Sequence, residues 1–591
     1  MKSLLKYVSM ACVALAFASC VQDLDVQPID QNTDTRPNLD ALYTKCYAVL
    51  GLTGPDGAAS SDVDKEGIDP GTSGFYRMIW FCNELTTDEV WWTYNDEETK
   101  QLTTTCWTGS NFGIWAIYIR LMLDIKYCNH YLALAKPTTD EERYRYAEVR
   151  FIRALHYYYL MDMYLYVPFI LDDTNEDPHL VPRHRVYAWL VGELETLEGL
   201  LPPVRKENYR VGKAAAQLLL ARTYLNADVY NKYNPEWTPD QIWQKAYDAA
   251  DATINDNKGF HDLVSKDQVV DYSSEGGYVY SAYQQLFMGD NQRPEIIKES
   301  VLQIYQDGIY GRSYAGASML VKGPRDDGMI PCGADGGPWH AMRTSPTMVD
   351  KFIKLAGIGR SQAANMVYDE YNMPVQLKDD RAILCSKVQS TKYSFKLTGN
   401  QGAGDQVNMY ECWAPLKFTG MYTTAKDPKD FVPQDKSWPD TDIPFMRIAE
   451  AYLIRGEAKA RRDHDWSQAL ADVNILRDRA NAKLLTVADM NEETMLDEWS
   501  REFWFEGRRR IDLIRFGRFF GPEADEHQFH WEGRMAANDG DKNFVSGTPE
   551  YMNWFPIPTS DKSNNPNFAT DVLNDPNNKF ASRGGDGYPY D

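Results

Sequence analysis

The stretch TDEVWWTYNDEET, from Thr87 to Thr99, sets Trp91, Trp92 and Tyr94 among acids and small polar residues. Flat rings with a polar edge do two kinds of work. They turn inward and anchor a loop, or they stay at the surface and offer an apolar face to a ligand. The acids of the chain open two other chemistries. Glycoside hydrolysis needs two carboxyls about 5–9 Å apart across the scissile bond. Neighbouring acids such as Asp88/Glu89 and Asp369/Glu370 are present, but a chain with 85 Asp and Glu makes such pairs by chance. The segment FMGDNQRPE carries Asp290, Asn291 and Glu295, oxygen donors of the kind calcium accepts, without the spacing of an EF-hand loop. A structural calcium at Asp290 and Glu295 is therefore left open, and no other cofactor is expected.

Cysteine adds no metal chemistry. Of nine cysteines, Cys12 lies in the leader and Cys20 follows it; Cys46, Cys82, Cys106, Cys128, Cys332, Cys385 and Cys412 are scattered, with no CxxC. That excludes a zinc ribbon and argues against a full disulfide framework, so most are expected as small buried apolar residues. The triple Arg508, Arg509, Arg510 is basic, yet Glu502 and Glu506 lie within a turn or so of it, which predicts a salt-bridge network in place of an anion site. A formal charge of −23 opposes any polyanion, so nucleic acid is excluded as a partner. A neutral ligand is not excluded. The 37 Tyr and 16 Trp give the chain many flat faces with which to meet one.

The elements that must position these residues are mostly helical. In MKSLLKYVSMACVALAFASC, Lys2 and Lys6 precede an apolar run too short to span a bilayer, and Ala18 and Ser19 precede Cys20. This looks like a bacterial lipoprotein signal over residues 1–19, with Phe17 in place of the usual aliphatic residue. Cys20 is the expected lipidation site and residues 20–40 a polar tether. A single domain is expected over 41–591. Helical periodicity dominates 41–260 and 440–525; Phe151, Leu155, Tyr158 and Tyr159 mark one helix that should stop near Val167, before Pro168. Helix pairs at about 34-residue spacing suggest tetratricopeptide-like repeats. Between the helical regions, 260–440 is rich in Gly, Pro, Tyr and Asp and is expected to lie over one face of the scaffold, where binding residues concentrate.

Four blocks in order, AEVRFIRALHYYYLMDMYLYVPF, DIPFMRIAEAYLIRGEAKAR, REFWFEGRRRIDLIRFG and NWFPIPTSDKSNNPNF, resemble the RagB/SusD family. The resemblance covers essentially the whole chain after Cys20. It implies a mostly α fold with about four tetratricopeptide-like helix pairs, a lipid-anchored protein on the surface of the outer membrane, and no catalysis. It also implies a SusC-like TonB-dependent transporter as partner, with the membrane touched through the lipid anchor only.

Within the family, SGFYR (73–77), CNELTTDE (82–89) and QDGIYGRSYAGASMLVKG (306–323) are similar to segments of a starch-binding member. By that likeness Tyr94, Tyr314 and Trp339 fall where that member places its sugar-stacking rings, and Asp69 and Arg77 where it places polar contacts. Tyr94 stands where Trp is expected and Glu97 where Asn is expected. The physics of a sugar fits such a set. A pyranose packs its C–H face on a ring and needs hydrogen bonds around its hydroxyl rim, which Arg77 and Glu97 would supply. The expected function is capture of α-glucan of the starch type at the cell surface. Dextran or another glycan is the alternative, and a peptide-binding lid or a glycoside hydrolase the remoter ones.

Overall fold

Asn38 accepts a hydrogen bond from the Ala41 N–H and so starts α1 (Leu39–Ala48). This computed structural model describes residues 38–58, 60–63, 69–92, 94, 96–103, 105, 107–326, 329–334, 337–359, 366–367, 369–371, 373–385, 413–431, 438–521 and 550–568. The leader, Cys20 and most of the tether lie outside them. Two short helices follow: α2 (Phe75–Trp80), prolonged by a π-helical turn over Phe81–Leu85, and α3 (Glu97–Thr103). The long scaffold begins with α4 (Phe112–Leu134), capped by Asn111, and α5 (Asp140–Met163), capped by a reciprocal Thr139/Glu142 box. These caps satisfy N–H groups that a first helical turn leaves without partners.

Phe151, Leu155, Tyr158 and Tyr159 are buried along α5, as their spacing predicts. The helix ends at Met163, short of the expected stop near Val167. The chain instead turns into a strand, β2 (Tyr166–Phe169), which contains Pro168 and pairs antiparallel with β3 (His179–Pro182). The residue before a proline avoids the helical region, and the ladder extends that preference over four residues.

Three more helices continue the stack: α6 (Arg183–Leu200), α7 (Lys213–Leu225) and α8 (Ile242–Asn255). From α4 onward each packs on the next, in the tetratricopeptide-like manner. Small residues let them close up: Ala214, Ala215 and Ala221 on α7 and Ala246 and Ala250 on α8 are fully buried. The stack is completed from far along the chain, because α8 packs on α11 (Ile448–Asp463).

Between α8 and α11 the described chain is built of short strands, turns and two brief helices, α9 (Ala317–Lys322) and α10 (Pro346–Ile353). Here β4 (Ser300–Ile304) pairs antiparallel with β6 (Ile443–Arg447), and β1 (Val90–Trp92) with β5 (Met342–Thr344). The sequence block from Thr441 therefore opens as a strand, and its helix begins only at Ile448. Ile443 and Met446 are buried in that strand beside Leu302 and Ile304. Three helices follow: α12 (Leu470–Arg479), α13 (Glu492–Phe503) and α14 (Arg509–Arg515).

The core is one continuous apolar cluster. A small satellite of Tyr280, Met288, Ile330, Tyr371 and Met421 lies within the loop-rich region. Cys46, Cys82, Cys128, Cys332 and Cys385 are buried; Cys106 and Cys412 lie outside the described residues. The arginine triple is buried in an ion-pair network as expected, but mostly with distant partners: Arg508 meets Glu450 and, four residues on, Asp512, Arg509 meets Asp88, and Arg510 meets Asp162. Glu502 and Glu506 face Arg447 instead. The sequence neighbours were claimed by another cation because α13 ends at Phe503, so the two sides no longer share one helix. Among the described residues no helix is long and apolar enough to cross a membrane.

Candidate functional site

The pairing of β1 with β5 builds the site. Its register sets Trp92 opposite Met342, so Tyr94, two residues on, lies alongside Trp339 and His340. The Tyr94 hydroxyl donates to the Trp339 carbonyl. Trp91 and Trp92 are buried, and the Trp92 ring lies edge-on to Tyr94 at 5.5 Å and to Phe81 at 5.0 Å. Two of the three opening rings thus anchor the segment and hold the third half-exposed.

Trp339 is presented by a fixed turn. Its N–H donates to the Lys322 carbonyl, and His340 adopts φ +58, a left-handed conformation that non-glycine residues rarely take. His340 is held there by its N–H to the Arg325 carbonyl and by Nδ1 at 2.7 Å from Asp326. Strain of this kind collects where a side chain must be aimed.

Tyr314 comes from the loop after β4, where Asp307 Oδ1 accepts three successive N–H groups, from Ile309, Tyr310 and Gly311. Its ring is 6.3 Å from Trp339 at 44° and 4.7 Å from Trp438 at 62°. Trp438, Tyr314 and Trp339 form a run of rings whose planes turn from one to the next. Tyr314 is 39% exposed, and Trp438 and Trp339 are partly so. Sequence reasoning gave Trp438 no role; it stands in DKSWPD with Pro439 beside it, as Pro338 stands beside Trp339. It also gave no role to Tyr310, which is 86% exposed on the tip fixed by Asp307.

The polar side is set by the turn Pro70–Ser73, whose first N–H groups Asp69 caps: Gly71 N–H donates to Asp69 Oδ1 at 2.8 Å. Gly71 is where this turn meets the ring loop. A Cβ there would lie 2.1 Å from Arg77 Nη1 and 3.0 Å from Tyr314 Cβ. Arg77 is buried, its guanidinium stacked over Phe81 at 5.1 Å and Trp92 at 5.9 Å, and its Nε has no hydrogen-bond partner. Burial pulls its pKa below the usual value, against the opposing fields of Asp69, Asp96, Glu98 and Tyr94. Burial likewise raises the Glu98 carboxyl, aided by Asp96 and Asp69. Glu98, one residue beyond the predicted Glu97, is thus a carboxylate within electrostatic reach of Arg77. Glu97 opens α3, is 71% exposed, and accepts from Gln101 Nε2 at 3.0 Å. With three carboxylates around one guanidinium, the site repels anions.

The other candidate residues lie elsewhere. Asp290 Oδ2 accepts from the Thr423 N–H and hydroxyl and is 3.2 Å from Arg293; Glu295 is 3.1 Å from the same arginine. An ion held by both carboxylates would have to displace that guanidinium. Asn291 spans to the Leu286 and Asp442 carbonyls. Among the described residues no group of three or more His, Cys, Asp or Glu is placed to hold a metal. The acid pairs weighed for hydrolysis are engaged. Asp88 meets Arg509 and Lys351, Ser500 donates to Glu89, Asp369 accepts the Tyr371 and Met373 N–H groups, and Glu370 pairs with Lys429.

Known proteins share both the sequence and the fold. The SusD family model matches residues 239–570. The starch-binding protein SusD of Bacteroides thetaiotaomicron is 33% identical over 595 residues, covering 96% of this chain and 98% of its own. Among solved structures, a SusD superfamily protein from Bacteroides thetaiotaomicron superposes with a TM-score of 0.60 at 18% identity, covering 90% of this chain and 99% of that one. The surface glycan-binding protein A from Bacteroides fluxus does so with a TM-score of 0.56 at 17% identity, covering 89% and 96%. At those identities the structural likeness speaks to the fold alone.

Proposed function

The chain belongs to the SusD family, and on that premise we propose that it captures starch-type α-glucan at the cell surface without chemistry and passes it to a SusC-like TonB-dependent transporter. The observation that carries the reading is the run of turned ring planes through Trp438, Tyr314 and Trp339, beside a buried Arg77 whose Nε has no protein partner. A helical glucan turns as it advances, so inclined faces can each meet a successive sugar. Its curvature is already set, and little conformational entropy is lost on docking. The name of the relative that is 33% identical, a starch-binding protein, supports the same class of ligand. Three carboxylates near Arg77 favour a neutral glycan over an acidic one.

Dextran is the second ligand in this reading. Its α-1,6 chain must be ordered on binding, and the Glu97 carboxylate at the start of α3, 71% exposed, can exchange its surface contacts with Gln101 and Lys100 for additional hydroxyls. Isothermal titration of protein lacking residues 1–20 against cyclodextrin, dextran and a soluble β-glucan tests the order. Cyclodextrin should bind first, dextran second and β-glucan not at all. Tight β-glucan binding with no cyclodextrin response would overturn the α-glucan assignment. Reducing sugar released from starch on long incubation would overturn the absence of catalysis. Attachment is assigned to a lipid on Cys20, and Cys20→Ala should free the protein from membranes; retention of that variant would refute the anchor.

A further inference from the structure

A cavity of about 440 Å³ lies among the scaffold helices, on elements that contribute nothing to the ring site. That volume falls within the ~300–1,000 Å³ range of small-molecule sites. Its walls come from the second half of α4, the middle of α5, the first half of α6 and the chain just after β2.

The chemistry of the lining is balanced. Arg150 donates through Nε and Nη2 to the two oxygens of Glu193, at 2.8 and 2.6 Å, a forked pair across the space between α5 and α6. Arg153, one turn along, is about nine-tenths buried. Its Nη1 donates to Asn129 Oδ1 at 2.8 Å and to the Leu171 carbonyl at 2.9 Å, while its Nε is buried with no hydrogen-bond partner. A buried donor left over in this way is costly unless something else meets it. Asp172 and Asp173 bring two exposed acids to the lining; Asp173 is 2.8 Å from His130 Nδ1. Tyr146 and Trp189 add flat apolar wall, and Trp189 is held by Tyr157 and Phe169, each at 5.2 Å.

An anion would meet three carboxylates here, and a cation two guanidiniums. A neutral polyol meets neither penalty: each hydroxyl both donates and accepts, so it can meet the partly exposed Arg150 and the aspartates together while its C–H face lies on a ring. We propose that this cavity, with Arg150 and Arg153 in its lining and Tyr146 and Trp189 on its walls, binds a neutral saccharide of one or two sugar units. Its size admits a short oligosaccharide end and not a helical turn of glucan. The cavity would thus hold small sugar independently of the ring site.

The test silences the ring site first. In the Tyr314→Ala/Trp339→Ala protein, saturation-transfer NMR with maltose and glucose should still give transfer to the sugar. Tyr146→Ala in that background should weaken it by at least ten-fold. Asp172→Ala, a change at an exposed residue that cannot unfold the chain, should weaken it by about three-fold. If the double variant melts early, wild-type protein saturated with cyclodextrin replaces it. No transfer to either sugar would overturn the proposal, as would transfer that both cavity variants leave unchanged. Transfer to galacturonate or to a dipeptide in preference to maltose would overturn the neutral-ligand assignment. Failure of the wild type to bind cyclodextrin would count against the ring site alone, since the silenced protein reads the cavity by itself.

Discussion

Trp339 has a backbone and a ring in separate employment. Its N–H and carbonyl hold Lys322 and Tyr94, whereas its ring is partly exposed beside Tyr314. Trp339→Ala keeps the first and removes the second. Glucan affinity should fall roughly ten- to hundred-fold, or about 1.4–2.8 kcal/mol, with the melting temperature within about 2 °C of wild type. A large fall in melting temperature at unchanged affinity would make the ring a loop anchor. Arg77 poses the complementary case, a buried charge with a spare donor. Arg77→Met keeps an apolar stem over Phe81 and Trp92 and removes the cost of burying the cation, so stability should hold or rise while affinity falls. Calorimetry and titration on the same sample separate the two effects, and a variant that loses stability but keeps affinity would refute the binding role of Arg77.

At the scale of elements, the ring loop is positioned by a close crossing that glycine alone permits. A Cβ on Gly74 would lie 2.0 Å from Ala315 Cβ and 3.3 Å from Thr53 Cγ2. Gly74→Ala should therefore push away the loop that carries Tyr314, costing about 1–3 kcal/mol of stability and weakening glucan binding together with it. Gly192→Ala is the control: it lies within α6 with nothing within 4 Å of the added methyl, so it should stabilise by up to about 1 kcal/mol and leave binding alone. Equal effects from the two substitutions would sink the crossing as a positioning device. The same elements explain what was legible in the sequence. The long helices were, because Phe151, Leu155, Tyr158 and Tyr159 repeat at a local period. The strand pairings β1–β5 and β4–β6 were not, because they join residues more than a hundred positions apart and leave only a few residues each to read. For that reason the inward turn of Trp91 and Trp92 could be weighed from composition, while the contact of Tyr94 with Trp339 required the register. Trp438 escaped for the same reason, because Tyr314 lies more than a hundred positions away, and so did the reach of Glu98 to Arg77.

Across the whole molecule, buried carboxylates tie the two helical regions and the loop-rich segment together. Glu450 joins Arg222 on α7 to Arg508, and Glu457 meets Arg515 and Arg461. Glu498 gathers Arg501, Arg381 and Arg477, and Glu502 gathers Arg447 and Arg479. Burial by itself would raise each of these four carboxyls, but the facing guanidiniums outweigh it and hold all four at about 2, against an ordinary 4.5. A carboxyl whose folded value lies below its unfolded one binds fewer protons folded than unfolded between the two. Its contribution is then complete above the unfolded value and is lost as pH falls toward the folded one. Removing a proton acceptor here also strands arginines that have almost no water around them, which makes the loss steep. The melting temperature should thus be nearly flat from neutral pH down to about 5 and fall sharply between about 4.5 and 2. Because these pairs span α7, α11, α13 and α14, the loss should appear as one cooperative transition of the whole chain. Calorimetric scans at stepped pH check this. A melting temperature that held down to pH ~3 would show that the pairs contribute no net stability, and an early separate transition would show that the two helical regions are not coupled through them.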